Sequence, residues 1–167
     1  KKQDTWYISQ LGNCLRGQYL QRLGDKPDKE IDERTLRVFS VGSMFEEWLV
    51  QQFEKRKNGY LTKPQYYVKN ELLNVSGYAD LLVGIAQDNY GQNNAASLDN
   101  ADWKIYEIKT KHSRAFWHMQ KEGKPMRQHE YQLWTYLYLA GIKEGGIVYL
   151  SKDDLAILEY PVQLKNK

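Results

Sequence analysis

The run Trp103-Lys104-Ile105-Tyr106-Glu107-Ile108-Lys109-Thr110 decides how this chain is read. β-Branched and aromatic residues dominate it, which marks a strand. Side chains alternate along a strand, so Glu107 and Lys109 share one surface while Ile108 between them points the other way. A second acid stands upstream in Gly77-Tyr78-Ala79-Asp80-Leu81-Leu82-Val83, where Asp80 interrupts a stretch otherwise fit for burial. Two carboxylates and a lysine projecting from neighbouring strands make a site for a hard divalent cation and for the anion it polarises.

Outward from that run, the periodicity predicts a layered α/β arrangement. Upstream, Tyr66-Tyr67-Val68 and Glu71-Leu72-Leu73 precede the segments Val75 to Ile85 and Lys104 to Thr110, which together read as three consecutive strands with Asn74 and Gly77 marking turns or irregularities. Gln87 to Asp102, rich in Asn, Asp, Gln and Gly, reads as a protruding hairpin loop. Downstream, Arg127 to Ala140 has helical period and closes at Gly141. Gly145–Leu150 and Leu155–Val162 complete the sheet around a turn at Lys152-Asp153-Asp154. Near the N-terminus, residues 6–23 read as a helix beginning near Ser9, with Leu11, Leu15, Tyr19 and Leu23 forming a face that packs on the core. Gly24 to Asp32 reads as an exposed connection, and a further helix is expected from Ser43, its cap, to Lys55, with a stripe of Phe45, Trp48, Leu49 and Phe53. A helix separating meander strands from later ones implies a central mixed sheet flanked by helices.

At 167 residues the chain suits one domain, 1–167, with a polar insertion at about 87–102. A net charge of +3 permits an anionic partner without demanding one. Cys14 is alone, which excludes an internal disulfide, a cysteine zinc site and an iron–sulfur cluster. It reads as a small buried group. No stretch approaches the length of a membrane span and the chain opens Lys-Lys-Gln-Asp, so the expectation is no membrane and a cytoplasmic or nucleoid location. His112, His118 and His129 do not form a zinc pattern, Trp48, Trp103 and Trp134 read as core, and no Walker sequence is present.

From the residues alone, Asp80 and Glu107 suit one Mg²⁺ or Mn²⁺ ion, with the Ile108 carbonyl and waters filling other positions and Lys109 beside them as a positive group. The plain alternative for so short a pattern is a set of solvent-facing residues on a half-exposed sheet. Gln132 and Tyr136, four apart, share one face of the penultimate helix. Gly42-Ser43-Met44-Phe45-Glu46 places a carboxylate four residues after a glycine.

The ordered set Gly42-x3-Glu46, Gly77-x2-Asp80, Glu107-x-Lys109, Gln132-x3-Tyr136 resembles the PD-(D/E)XK nuclease superfamily, in particular its RecB-like branch. Ser9-x-Leu11-x2-Cys14-x-Arg16 resembles the opening segment of that branch, so the likeness spans nearly the whole chain. The resemblance implies a restriction-endonuclease-like core, Asp80 and Glu107 as metal ligands, Lys109 as the catalytic lysine, and Gln132 with Tyr136 near the substrate. Glu46 falls where most RecB-like members carry a metal-binding histidine, and Glu47 is its rival for that role. A carboxylate is a harder ligand than imidazole, which tunes the expected site toward Mg²⁺. The branch's CRISPR-adaptation members commonly hold an iron–sulfur cluster, which one cysteine cannot support.

Between Glu107 and Glu130 the chain carries Lys111, Arg114, Lys121, Lys124 and Arg127, with His112, Phe116, Trp117 and His118 interleaved. Basic groups neutralise phosphates and exposed aromatics stack on bases, which makes this connection a candidate nucleic-acid track. A solvated loop with its aromatics turned inward is the alternative. The resemblance implies a metal-dependent DNA nuclease, an exonuclease of DNA repair, recombination or phage DNA processing, working beside a helicase, recombination or replication partner. The competing readings are a nucleic-acid-binding module of the same fold without turnover, and a phosphoesterase acting on small nucleotides.

Overall fold

The computed structural model describes residues 4–25, 30–55, 60–86 and 101–164. Along the chain run β1 (Trp6–Tyr7), a 3₁₀ turn (Ile8–Gln10), α1 (Leu15–Leu23), α2 (Glu33–Lys55), β2 (Tyr60–Asn70), β3 (Val75–Ala86), β4 (Ala101–Lys111), α3 (Ser113–Glu122), α4 (Arg127–Ala140), β5 (Glu144–Ser151) and β6 (Ile157–Gln163). The strands form one mixed sheet of six. β2–β3, β3–β4 and β5–β6 are antiparallel, whereas β4–β5 and β1–β3 are parallel.

Two apolar layers enclose this sheet. On one face Ala79, Leu82, Ile105, Ile147 and Tyr149 pack against Phe116 and Met119 of α3 and Leu133, Tyr136 and Leu137 of α4. On the other, Leu81, Val83, Ile108 and Val148 pack against Leu49, Val50 and Phe53 of α2. β5 is buried almost throughout, as a strand covered on both faces must be. Among the described residues no helix is long and apolar enough to cross a membrane.

Several expectations are corrected. The N-terminal segment is not one helix but a short strand, a 3₁₀ turn and then α1. Of the expected stripe only Leu11 packs against the core; Leu15, Tyr19 and Leu23 face outward at 78%, 54% and 53% exposure, while Gln18 is buried and donates to the Asn13 carbonyl at 3.1 Å. Cys14 is exposed at the start of α1. α2 begins ten residues before Ser43, and its cap is Asp32, whose carboxylate accepts from the Thr35 amide at 2.8 Å. Trp48 and Trp134 are exposed, whereas Trp103 is half-buried and packs against the core as expected. Glu71–Asn74 is a turn, closed by the Asn74 amide donating to the Glu71 carbonyl with Asn74 at φ +50°. The connection after β4 is a helix, α3, capped by the His112 ring nitrogen accepting from the Arg114 amide at 3.0 Å. Most of the polar insertion, 87–100, lies outside the described residues; Ala101 and Asp102 belong to β4.

Candidate active site at the fork of the sheet

The β3–β4 ladder runs from the Ala86–Ala101 pair to the Leu81–Tyr106 pair and stops. The next rung would join Asp80 to Glu107. Beyond it the strands part, and β1 takes up pairing with the other end of β3 at Val75 and Ser76. The Ile108 amide, lacking a β3 backbone partner there, donates to Asp80 Oδ2 at 2.7 Å. Parting of strands exposes polar backbone that side chains must satisfy, and Asp80 does so.

The alternation of β3 also slips at this point. Ala79 and Leu82 face the α3/α4 layer, while Leu81 and Val83 face α2. Residues 79, 81 and 83 of a regular strand would share one face. On the neighbouring strand Pro64 pairs with Leu81 and Tyr66 with Ala79, but Gln65 and Asp80 between them do not pair, and Gln65 has φ +50°. The acid therefore lies where the ladders on both sides of β3 are interrupted.

Lys109 bridges the two carboxylates, its Nζ 2.8 Å from Glu107 Oε2 and 3.2 Å from Asp80 Oδ2. Glu107 is fully buried, and burial holds its carboxyl well above the usual carboxylate range, Lys109 opposing the rise and Asp80 adding to it. For Lys109 burial works against the charge, but Glu107 and Asp80 outweigh it and hold the ammonium firmly protonated. Gln132 of α4 donates to Glu107 Oε2 at 2.7 Å. Tyr136, one turn on, is fully buried and donates to the Tyr78 carbonyl at 2.9 Å. Gly77 makes room for that hydroxyl: a Cβ there would stand 2.5 Å from Tyr136 Oη and 3.1 Å from Ile8 Cβ. Gln132 and Tyr136 thus both turn inward, one to a carboxylate and one to the strand that carries the other.

Glu46 stands at the rim of the fork. Its carboxyl accepts from Gln65 Nε2 at 3.0 Å and is pushed up to about 7 by burial first and the Asp80 charge second. Glu47, next in sequence, is exposed. Gly42, one turn before Glu46, lies over Thr110, where a Cβ would meet Oγ1 at 3.2 Å.

The donor set fits a divalent cation. Glu107 Oε1 is buried without a hydrogen-bond partner, an acceptor left over after Lys109 and Gln132 have taken Oε2. Among the described residues no three His, Cys, Asp or Glu side chains stand close enough together to hold a metal ion by themselves, so the set is the Asp80–Glu107 pair with Glu46 outside it. An acid pair completed by a backbone carbonyl and waters is the kind of open set that Mg²⁺ accepts.

The basic residues after β4 are dispersed along α3 and its two ends. Lys111 is half-buried at the end of β4, and its pKa is lowered by burial, then by Lys109 and Lys152. Arg114, Lys121, Lys124 and Arg127 are exposed. Arg114 and Lys121 share the outer face of α3 with Trp117, whereas Phe116 and Met119 are buried beneath. His129 is buried, with Nδ1 2.7 Å from the Tyr149 hydroxyl.

Sequence reading passed over Gln65 and α3. A proline within β2, Pro64, marks irregular pairing and was the available signal for the first. Phe116 and Met119 ahead of Gly123 were the signal for the second.

No protein-family model matches the chain, and no curated protein matches it. Among solved structures it is similar to an alkaline exonuclease (LHK-Exo) from Laribacter hongkongensis at 17% identity, covering 97% of this chain and 78% of that one with a TM-score of 0.63. LHK-Exo in complex with dAMP gives 16% identity, the same coverage and a TM-score of 0.64. The crystal structure of SSO0001 gives 20% identity over 100% of this chain and 70% of that one, with a TM-score of 0.60. At these identities the likeness concerns the fold. The chain has an α/β, restriction-endonuclease-like fold, a mixed six-stranded sheet flanked by helices, which is the fold that the PD-(D/E)XK resemblance implies.

Proposed function

We propose that the fork is the active site of a metal-dependent DNA nuclease of the RecB-like class that hydrolyses phosphodiester bonds, as an exonuclease in DNA repair, recombination or phage DNA processing. The observation that carries this reading is the acid pair at the divergence of β3 and β4, bridged by Lys109, with one Glu107 oxygen buried and unpartnered. Asp80, Glu107 and the Ile108 carbonyl would hold Mg²⁺ or Mn²⁺, with Glu46 beside them. Bound there, such a cation lowers the pKa of a coordinated water and offsets charge on a phosphoryl oxygen.

The remaining roles belong to the chain. Lys109, kept cationic by its two acids, is suited to orient an attacking oxygen and to neutralise charge on the phosphate, not to accept a proton. The Ile108 amide fixes Asp80, and Gln132 fixes Glu107. Tyr136 holds β3 in place two residues before Asp80. Lys111, on the same strand face as Lys109, and the outer face of α3 with Arg114, Trp117 and Lys121 are the proposed contacts to the DNA backbone and bases. Lys124 and Arg127 extend that charge toward α4. A helicase or recombination partner is part of the same reading.

The test is incubation of the purified protein with end-labelled single-stranded, duplex and circular DNA in Mg²⁺, Mn²⁺ or EDTA, beside Lys109→Ala. Metal-dependent cleavage lost in the variant is the expected result, with circular DNA spared by an exonuclease. DNA binding without cleavage in any metal would favour the module without turnover. Turnover of mononucleotides with long DNA intact would favour a small-substrate phosphoesterase.

A further inference from the structure

Gln65 is absent from every motif in the chain, yet it occupies an unusual place in the fold. It is one of three non-glycine residues with positive φ among the described residues, and it alone of these lies inside a strand pairing, directly across from Asp80. Left-handed backbone is unfavourable for a residue with a side chain, and it persists only where the surroundings require it. Neither a sharp reversal nor a hairpin explains it here, because β2 continues in register on both sides. What the conformation accomplishes is visible at the side chain. Gln65 fails to pair in the ladder and sends its amide nitrogen across to α2, where it donates to Glu46 Oε1 at 3.0 Å. The partners are 19 residues apart in sequence and belong to different layers.

We propose that Gln65 is a positioning residue for Glu46, the acid at the rim beside the Asp80–Glu107 pair: its left-handed backbone aims the amide at Glu46 and fixes where that acid stands relative to Asp80. The inference rests on the reading of the fork as a divalent-metal site. A hydrogen bond to one carboxylate oxygen restrains the rotation of the group and leaves the other oxygen for a cation. Outer partners of this kind orient ligands, and their loss typically costs about 10- to 100-fold in metal affinity. Asp80 is fixed by the Ile108 amide and Glu107 by Gln132, so Gln65 completes a set in which each of the three acids has its own orienting donor.

The backbone strain makes the test discriminating. Gln65→Gly relieves the positive φ while deleting the amide, so a residue that mattered only for the strand's shape would tolerate it. The experiment is titration of the metal-free, DNA-free protein with Mn²⁺ by calorimetry, with thermal melting alongside, for the wild type, Gln65→Gly, Gln65→Asn and Asp80→Asn. We expect Gln65→Gly to melt no lower than the wild type yet to bind Mn²⁺ about 10-fold more weakly or worse. Gln65→Asn, which tolerates left-handed backbone and keeps a shorter amide, should fall between them. Wild-type affinity in Gln65→Gly, with affinity lost in Asp80→Asn, would overturn the inference and leave the metal site standing. Absence of Mn²⁺ binding in the wild type would overturn the metal reading and this inference with it.

Discussion

The two halves of β3 behave differently. From Leu81 onward the strand is zipped to β2 and β4 on its two edges, and Leu81, Leu82 and Val83 are buried between the helix layers. Before Leu81 the β2 ladder resumes at Ala79, but the β4 edge is open and the alternation slips, and there the Ile108 amide, the Lys109 ammonium and the Tyr136 hydroxyl meet β3 in place of β4 backbone. The zipped half stabilises; the open half gathers charge at the cost of stability. A buried Glu107 with an orphan oxygen would be a defect in a protein built for stability alone, and it is the arrangement expected where a cation is to be received.

Substitutions can break this contrast. Lys109→Ala should lower the rate of DNA cleavage by about 10²–10³-fold in steady-state assays. Glu107→Gln should abolish cleavage and, by removing a ligand charge, weaken Mn²⁺ binding in calorimetry by at least about 10-fold. In the zipped half the pattern inverts. Leu82→Ala leaves a cavity between β3 and the α3/α4 layer and should cost about 3 kcal/mol in denaturant unfolding, with the rate per folded molecule unchanged. Gly77→Ala tests the junction, since its Cβ displaces the Tyr136 hydroxyl from the Tyr78 carbonyl; we expect a loss of about 2 kcal/mol together with reduced activity.

The smallest effect sharpens the comparison by pH. Glu46 has its folded pKa raised to about 7 from an ordinary value near 4.5, so the metal-free native state binds more protons than the unfolded chain between those values. Its contribution to stability is therefore greatest at low pH and declines as pH rises through that window. A cation competes with the protons of both Glu46 and Glu107, which are raised, so Mn²⁺ affinity should rise with pH through and beyond about 7. Thermal melts and titrations from pH 5 to 8.5 would read both trends, and Glu46→Gln should make them shallower below about pH 7 while the part carried by Glu107 stays.

Much of this site was legible before folding because it is written in local terms. Glu107 and Lys109 are two residues apart on one strand, and Gln132 and Tyr136 four apart on one helix, so their shared faces follow from backbone geometry. That they point at the same place was not readable, because Gln132 meets Glu107 only through the packing of α4 on the sheet. The N-terminal helix shows the limit most plainly. The spacing of Leu15, Tyr19 and Leu23 was right for a buried stripe, yet nothing local says which side of a helix the core lies on.

The sequence by itself determined the α/β class, the strand bearing Glu107 and Lys109, the helix from Arg127 to Ala140 with its closing glycine, and the order of the acids along the chain. These depend on period, caps and residue chemistry, all encoded within a few neighbours. Only the tertiary structure decided that β3 and β4 part at Asp80, that the alternation of β3 slips there, and that Gln65 turns left-handed to reach Glu46. The physical reason is that these features are contacts between segments distant in the chain. Their geometry is fixed by which strands become neighbours and by the backbone groups left to satisfy where those neighbours separate.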